Sequence, residues 1–240
     1  MKIGVTGCSH SSYIWGNPWH FYLSEEFKAE VIYTCSPGAG NEMNFEKMKY
    51  TIETYNVDYF IFQISDPSRL VMGINNWVNE HEINRNQMIP NLSINEQMRH
   101  GQIFRDLYFY TFNAHKNEKN LEKIFEKKLP VDDFMINHVM TSTYNIEYKV
   151  FMTMCATKFI CDFYGIPLIF FSWFTDINEL SKKVGYNNIL EKMNIVPGCV
   201  IDFINENKIE AIPNDGHYDG DSHLKIYREY LSPYIKTIIK

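Results

Sequence analysis

The 240-residue sequence predicts one three-layer α/β domain, a mostly parallel sheet with helices on both faces, carrying a largely helical insertion. Three observations lead there. Short strand-like runs alternate with amphipathic helical segments toward both ends of the chain. Several of these runs are almost continuously apolar, as strands buried on both faces are. The alternation lapses over residues 70–146 and then resumes. The length fits one large domain, residues 1–240, with 70–146 as an insertion or lid inside it. Hydrophobic residues make up 45% and charged residues 22%, an ordinary globular mixture that is ample for a core.

The elements follow in order. Residues 2–6 (KIGVT) read as a strand, and 18–27 as a short helix begun by Pro18. Residues 30–35 (EVIYTC) are β-branched and aromatic, hence a strand. The breaker cluster Ser36-Pro37-Gly38-Ala39-Gly40-Asn41 follows. Beyond it Phe45, Met48, Ile52 and Tyr55 recur at helical spacing. Residues 57–64 (VDYFIFQI) read as a strand buried on both faces. In the insertion only patches such as 120–128 look helical. The pattern returns in a helix at 147–164, where Phe151, Met154, Cys155, Phe159 and Phe163 form one face and Gly165 is a C-cap candidate. A strand at 166–173, a helix near 177–193 and a short strand at 199–203 come next. The closing helix is expected to begin at Asp221 or Ser222, both good N-caps, and to kink at Pro233.

The net charge of −6, without a long Lys/Arg block, argues against nucleic acid or an anionic membrane as partner. The longest apolar stretch, 166–174, contains Pro167 and falls far short of the ~18 residues that read as a membrane span. Lys2 leads straight into a strand-like run with no leader pattern, so a cytoplasmic protein is expected. Five cysteines without a CxxC pair read as reduced thiols.

In such sheets ligands bind outside the carboxyl ends of the strands. Cys8 and Ser9 follow the first strand, Gly38 and Asn41 the second, and Gln63, Ser65 and Asp66 the third. Trp173 follows the fourth, and Asn214-Asp215-Gly216-His217 comes after the last. One sheet edge thus gathers a hydroxyl, a glycine turn leading into a helix, an amide and an Asp/His loop. These are the parts of acyl transfer: nucleophile, base, orienter and oxyanion donors.

These segments resemble the SGNH/GDSL-type hydrolases, in a variant similar to phage and other viral relatives. "KIGVTGCS" matches the family's first block, with Cys8 in place of Asp, and "CSPGAGNE" its glycine-bearing second block. "NDGHYDGDSHLKIYREYLSPYI" is similar to the last block, with His217 at the base position and Asp215 in a D-x-H form. The third-block Gly-x-Asn-Asp is absent from "FQISDPSR". The resemblance implies a flavodoxin-like fold and a serine esterase or deacylase acting on O-acetyl groups of carbohydrate by hydrolysis or transfer. It assigns Ser9 as nucleophile, His217 as base and Asp215 as orienter. Gly38, Asn41, Gln63 and Ser65 become candidates for oxyanion or substrate binding. The implied partner is a carbohydrate or other small ester, with no cofactor. The other reading is an SGNH-fold binding or structural component, of a virus particle for example, that has lost its chemistry. Homo-oligomer or virion assembly stays open.

Each candidate has a rival role. Cys8 is a better nucleophile as thiolate, but alternation along a strand lets only one of Cys8 and Ser9 face the base. Ser9 matches the family position, so Cys8 is expected to turn inward. Asn41 could instead cap the following helix, and Gly38 could serve only the turn. His217, Asp219, Asp221 and His223 alternate as metal ligands on a strand would, yet Gly216 and Gly220 break a strand there; no metal is expected. His223 is expected to pack inside the last helix. His10, His20 and His138 have no supporting context. Trp15 and Trp19 lie just past Ser9, where a sugar-binding cleft would need them.

Overall fold

A computed structural model describes residues 1–35, 39–67, 69–74, 108–113, 143–185 and 187–240. Five parallel strands form the main sheet: β1 (Lys2–Thr6), β2 (Glu30–Tyr33), β3 (Tyr59–Ile64), β6 (Leu168–Ser172) and β7 (Asn194–Ile195). Between β3 and β6 in the chain lie β4 (Arg69–Ile74) and β5 (Tyr108–Asn113), which pair with each other antiparallel. The main sheet runs β2-β1-β3-β6-β7, the flavodoxin-like order once the separate pair is set aside. Its register places Val5 opposite both Tyr33 and Ile61, and Ile61 opposite Ile169. The order reverses between β1 and β3, the crevice where this fold class binds ligands.

Side-chain alternation divides the core between two faces. Ile3, Val5, Ile61, Ile169 and Phe171 face one layer. It consists of α1 (Trp19–Phe27), α6 (Val200–Glu206), a π-helical turn (Ile226–Leu231) and α8 (Ser232–Ile238). Phe60, Phe62, Ile64, Leu168 and Phe170 face α2 (Asn41–Tyr55), α3 (Thr143–Phe163), α4 (Ile177–Val184) and α5 (Asn187–Leu190). Gly4 lies opposite Phe60, and a Cβ there would sit 2.4 Å from the Phe60 ring. The ring therefore crosses β1 only because Gly4 has no side chain.

Three expectations are corrected. The 199–203 segment is not a strand but lies at the start of α6, with Cys199 as its N-cap. Val200 and Ile204, both buried and four residues apart, make its apolar contact. The fifth strand is instead β7, only two residues long. The 177–193 helix breaks into α4 and α5 at Gly185, whose φ is +77°. Within the insertion the described residues are β4, β5 and the beginning of α3; the 120–128 patch lies outside the described residues. The last helical stretch begins one residue before Asp221: α7 (Gly220–Lys225) is capped by Asp219, whose carboxylate accepts from the Ser222 N–H at 2.9 Å. It continues through the π turn, and Pro233 sits in the first turn of α8. Among the described residues no helix is long and apolar enough to cross a membrane.

Candidate active site

β1 ends at Thr6, and Gly7-Cys8 turns the chain into a short 3₁₀ turn, Ser9–Ser11. The buried Gln63 side chain on β3 holds that turn from below. Its Oε1 accepts from the Cys8 N–H at 3.1 Å and from the Ser11 hydroxyl at 2.6 Å. Its Nε2 donates to Cys8 Sγ at 3.1 Å. Trp19 adds an indole N–H to Ser11 Oγ at 2.6 Å. The fit requires Gly7, since a Cβ there would lie 2.1 Å from Gln63 Oε1.

At the other end of the chain a turn joins α6 to α7. Asp215 N–H and Gly216 N–H bond back to Ile212 O, and Ile212 N–H donates to His217 O at 2.8 Å. Positive φ at Asn214 (64°) and Gly216 (80°) lets the chain fold this tightly. Tyr218, 7% exposed, pins the turn to the core.

The turn delivers its imidazole to the 3₁₀ segment. His217 Nε2 lies 2.9 Å from Ser9 Oγ, and His217 Nδ1 is hydrogen-bonded to Asp215 Oδ1. With the proton on Nδ1, held by the carboxylate, the Nε2 lone pair faces the serine hydroxyl. That hydrogen bond from His217, joined by one from Trp15, holds the Asp215 carboxyl below its ordinary range. Trp15 Nε1 donates to Asp215 Oδ2 at 3.0 Å, and the indole stacks on the His217 ring with centroids 3.6 Å apart and planes 7° off parallel. His10 also lies against the His217 ring, 4.6 Å between centroids and tilted by 33°, and is itself stacked on Trp173. Burial, with the neighbouring His217, pushes the His10 pKa down to about 2, so its ring is neutral at working pH.

Ser9, His217 and Asp215 are therefore brought together. Two expected substrate-binding side chains are not available. Gln63 is fully buried with both ends of its amide engaged under the Ser9 turn. Ser65 is fully buried too, its hydroxyl accepting from Asn44 Nδ2 at 3.1 Å and its N–H donating to Asn41 Oδ1 at 2.8 Å. Asn41 is the first residue of α2; it ties that helix to the end of β3 and makes no side-chain capping bond. Gly38 lies outside the described residues, as does His138. Cys8 turns inward and is fully buried, and Trp19 is core rather than cleft. His223 is buried in α7, which brings its pKa down to about 4. Sequence reasoning missed His10, whose ring contacts arise only from tertiary packing. Among the described residues no group of three or more His, Cys, Asp or Glu side chains could hold a metal ion.

No family model and no curated protein matches the sequence. Solved structures do match in fold. An acetyl xylan esterase, AlAXEase, aligns at TM-score 0.52 and 9% identity over 100% of both chains. The esterase EstA from Pseudoalteromonas sp. aligns at 0.51 and 10% identity, over 98% of this chain and 97% of that one. A protein described as lipolytic and of the G-D-S-L family, from Desulfitobacterium hafniense DCB-2, aligns at 0.50 and 9% identity over 99% of each. The fold is that of the SGNH/GDSL-type hydrolases. In this chain the serine turn after β1 and the histidine turn before α7 meet at the carboxyl edge of the sheet, beside the β1/β3 switch point.

Proposed function

We propose that the protein is a serine esterase of the SGNH type that removes, or transfers, O-acetyl groups on carbohydrate through an acyl-enzyme. The observation that carries this reading is the 2.9 Å approach of Ser9 Oγ to His217 Nε2, with Asp215 on the far ring nitrogen. As Ser9 attacks the ester carbonyl, His217 takes its proton at Nε2, and Asp215 steadies the imidazolium. The proton then passes to the departing sugar oxygen. Water, or a second sugar hydroxyl, repeats the steps in reverse and frees Ser9. Ser9 opens its 3₁₀ turn, so its N–H has no acceptor within that turn and can face the oxyanion. The Gly38 N–H is the proposed second donor. The third strand supplies no side-chain donor, because Gln63 and Ser65 are buried and engaged. A missing donor costs about 10²–10³ in kcat, which fits an ester better than the less reactive amide. The carbohydrate part of the reading draws on fold neighbours that include an acetyl xylan esterase.

Labelling with a fluorophosphonate probe, alongside hydrolysis of p-nitrophenyl acetate and acetylated xylan, tests this. Wild-type protein and Cys8→Ala are expected to label, whereas Ser9→Ala and His217→Ala are not. Labelling that survives Ser9→Ala sinks the proposal. Absence of labelling in every form favours the reading of an SGNH fold kept for binding or assembly.

A further inference from the structure

The Asp215–His217 pair sits on an exposed turn, and both its members come from the same three residues. Water competes well for a carboxylate in that position. The turn also has two positive-φ residues, Asn214 and Gly216, so neither partner is held by a helix or strand. Tyr218 pins the backbone of the turn to the core, but the orientation of the two side chains toward Ser9 needs a further contact.

One side chain reaches it from the segment that carries the nucleophile. Trp15 ends a second 3₁₀ turn, Tyr13–Trp15, six residues after Ser9. Its indole N–H meets the carboxylate oxygen that His217 does not use, at 3.0 Å. Its ring lies flat on the imidazole, 3.6 Å away. A single rigid group thus sets the carboxylate torsion, the imidazole plane and the distance of both from Ser9. The base of this rigid group is itself anchored: Gly16, at φ +118°, passes close against Gly220 at the head of α7, and a Cβ there would lie 3.2 Å from the Gly220 nitrogen. Tyr22 of α1 reinforces the junction through a 2.8 Å hydrogen bond to Gly220 O. His10, backed by Trp173, is a second ring in contact with the imidazole. An imidazolium formed during reaction would meet an indole face, which attracts a cation, and an uncharged ring.

We propose that Trp15 is a positioning residue that clamps the Asp215–His217 pair against Ser9, acting through both its ring face and its indole N–H. The proposal rests on the serine-esterase reading, and it assigns Trp15 to the base rather than to a sugar-binding cleft.

The test is steady-state hydrolysis of p-nitrophenyl acetate by the full chain, with thermal melts to check folding. Trp15→Phe keeps a ring on the imidazole but removes the N–H. It is expected to lower kcat about tenfold, the size of one lost hydrogen bond to a charged group, with KM within about twofold. Trp15→Ala, losing both contacts, is expected to lower kcat about 100-fold. The deciding measurement is a double-mutant cycle. With Asp215→Ala already present, Trp15→Phe should change kcat by less than about twofold, because the N–H acts only through that carboxylate. A purely structural tryptophan would make the two losses multiply, and that result overturns the proposal, as does wild-type kcat in Trp15→Phe. Ser9→Ala separates the layers. If it retains activity, the esterase reading itself fails; if it is inactive while Trp15→Phe is unimpaired, only the role of Trp15 fails.

Discussion

Acid should unfold this protein earlier than its carboxylates alone would. Three histidines are buried and neutral: burial lowers His10 to a pKa of about 2, His20 to about 3 and His223 to about 4, from an ordinary value of 6.5. The charges of His217 on His10 act in the same direction, while the His20 bond to Ser11 O at 2.8 Å opposes it only partly. A folded-state pKa below the unfolded one means that the unfolded chain binds the extra proton. The stability these groups contribute is full above 6.5 and is lost as pH falls toward the folded values. Each unit of pH below 6.5 costs about 1.36 kcal/mol per histidine. At about pH 5, still above all three folded values, each has cost about 2 kcal/mol and the three together about 6. How far below pH 5 the folded values lie hardly alters that sum. Glu42 works the other way, since burial raises its pKa and lets the folded state take a proton first, returning less than one proton of the three. A loss of about 6 kcal/mol is comparable with the whole stability of many domains, which lies at about 5–15 kcal/mol. Urea unfolding at a series of pH values between about 7.5 and 5 measures it, because the slope of ΔG against pH counts the protons taken up. Two to three protons are expected at the acid end, and one fewer in His20→Leu. A stability that stays within about 1 kcal/mol over that interval would refute the reasoning.

Two further outcomes concern the nucleophile turn. Gly7→Ala forces a methyl to within 2.1 Å of Gln63 Oε1 and 3.0 Å of its Cβ, so it should cost about 1–3 kcal/mol of stability by overpacking. Removing the obstacle should recover part of this, leaving Gly7→Ala with Gln63→Ala less unstable than the two single losses added together; thermal melts of the four proteins decide it. Cys8→Ala leaves the Gln63 Nε2 donor without its 3.1 Å partner and is expected to lower stability by about 1–3 kcal/mol. Fluorophosphonate labelling should persist, because the thiol points into the protein.

The central strands were legible because two-sided burial forces a continuous apolar run. "YFIFQI" and "LIFFS" have few polar residues to hide. The two-residue β7 is too short to carry any period, and its neighbour α6 misled for a related reason. Val200, Ile201 and Phe203 satisfy a strand's composition over five residues, whereas the Val200/Ile204 spacing that marks a helix needs the residue beyond that window. In the insertion, β4 and β5 pair across more than thirty intervening residues. No local pattern in either segment reports that partner.

At the site, the chain-end rule was enough to place Ser9, because the position directly after a parallel strand is fixed by topology; His217 follows the helix α6 instead, so its arrival at the same edge could not be read from a strand end. The rule also could not say which way a side chain leaves that edge. Gln63 was expected to face the substrate, yet it shares its strand parity with Ile61, whose side chain packs in the Trp19 layer. That same parity carries Gln63 beneath the turn it braces, against Ser11, which is also the acceptor of Trp19's indole N–H. Read with parity as well as position, the third strand yields a support for the nucleophile in place of an oxyanion donor. On the serine-esterase proposal, with the strand-three amide spent on holding Cys8 and Ser11, charge developing on the ester oxygen would have to be met by backbone N–H groups, the Ser9 N–H among them. The rigidity of the Ser9 turn, set by Gly7 and Gln63, would on that proposal limit the rate as directly as Ser9 and His217 do.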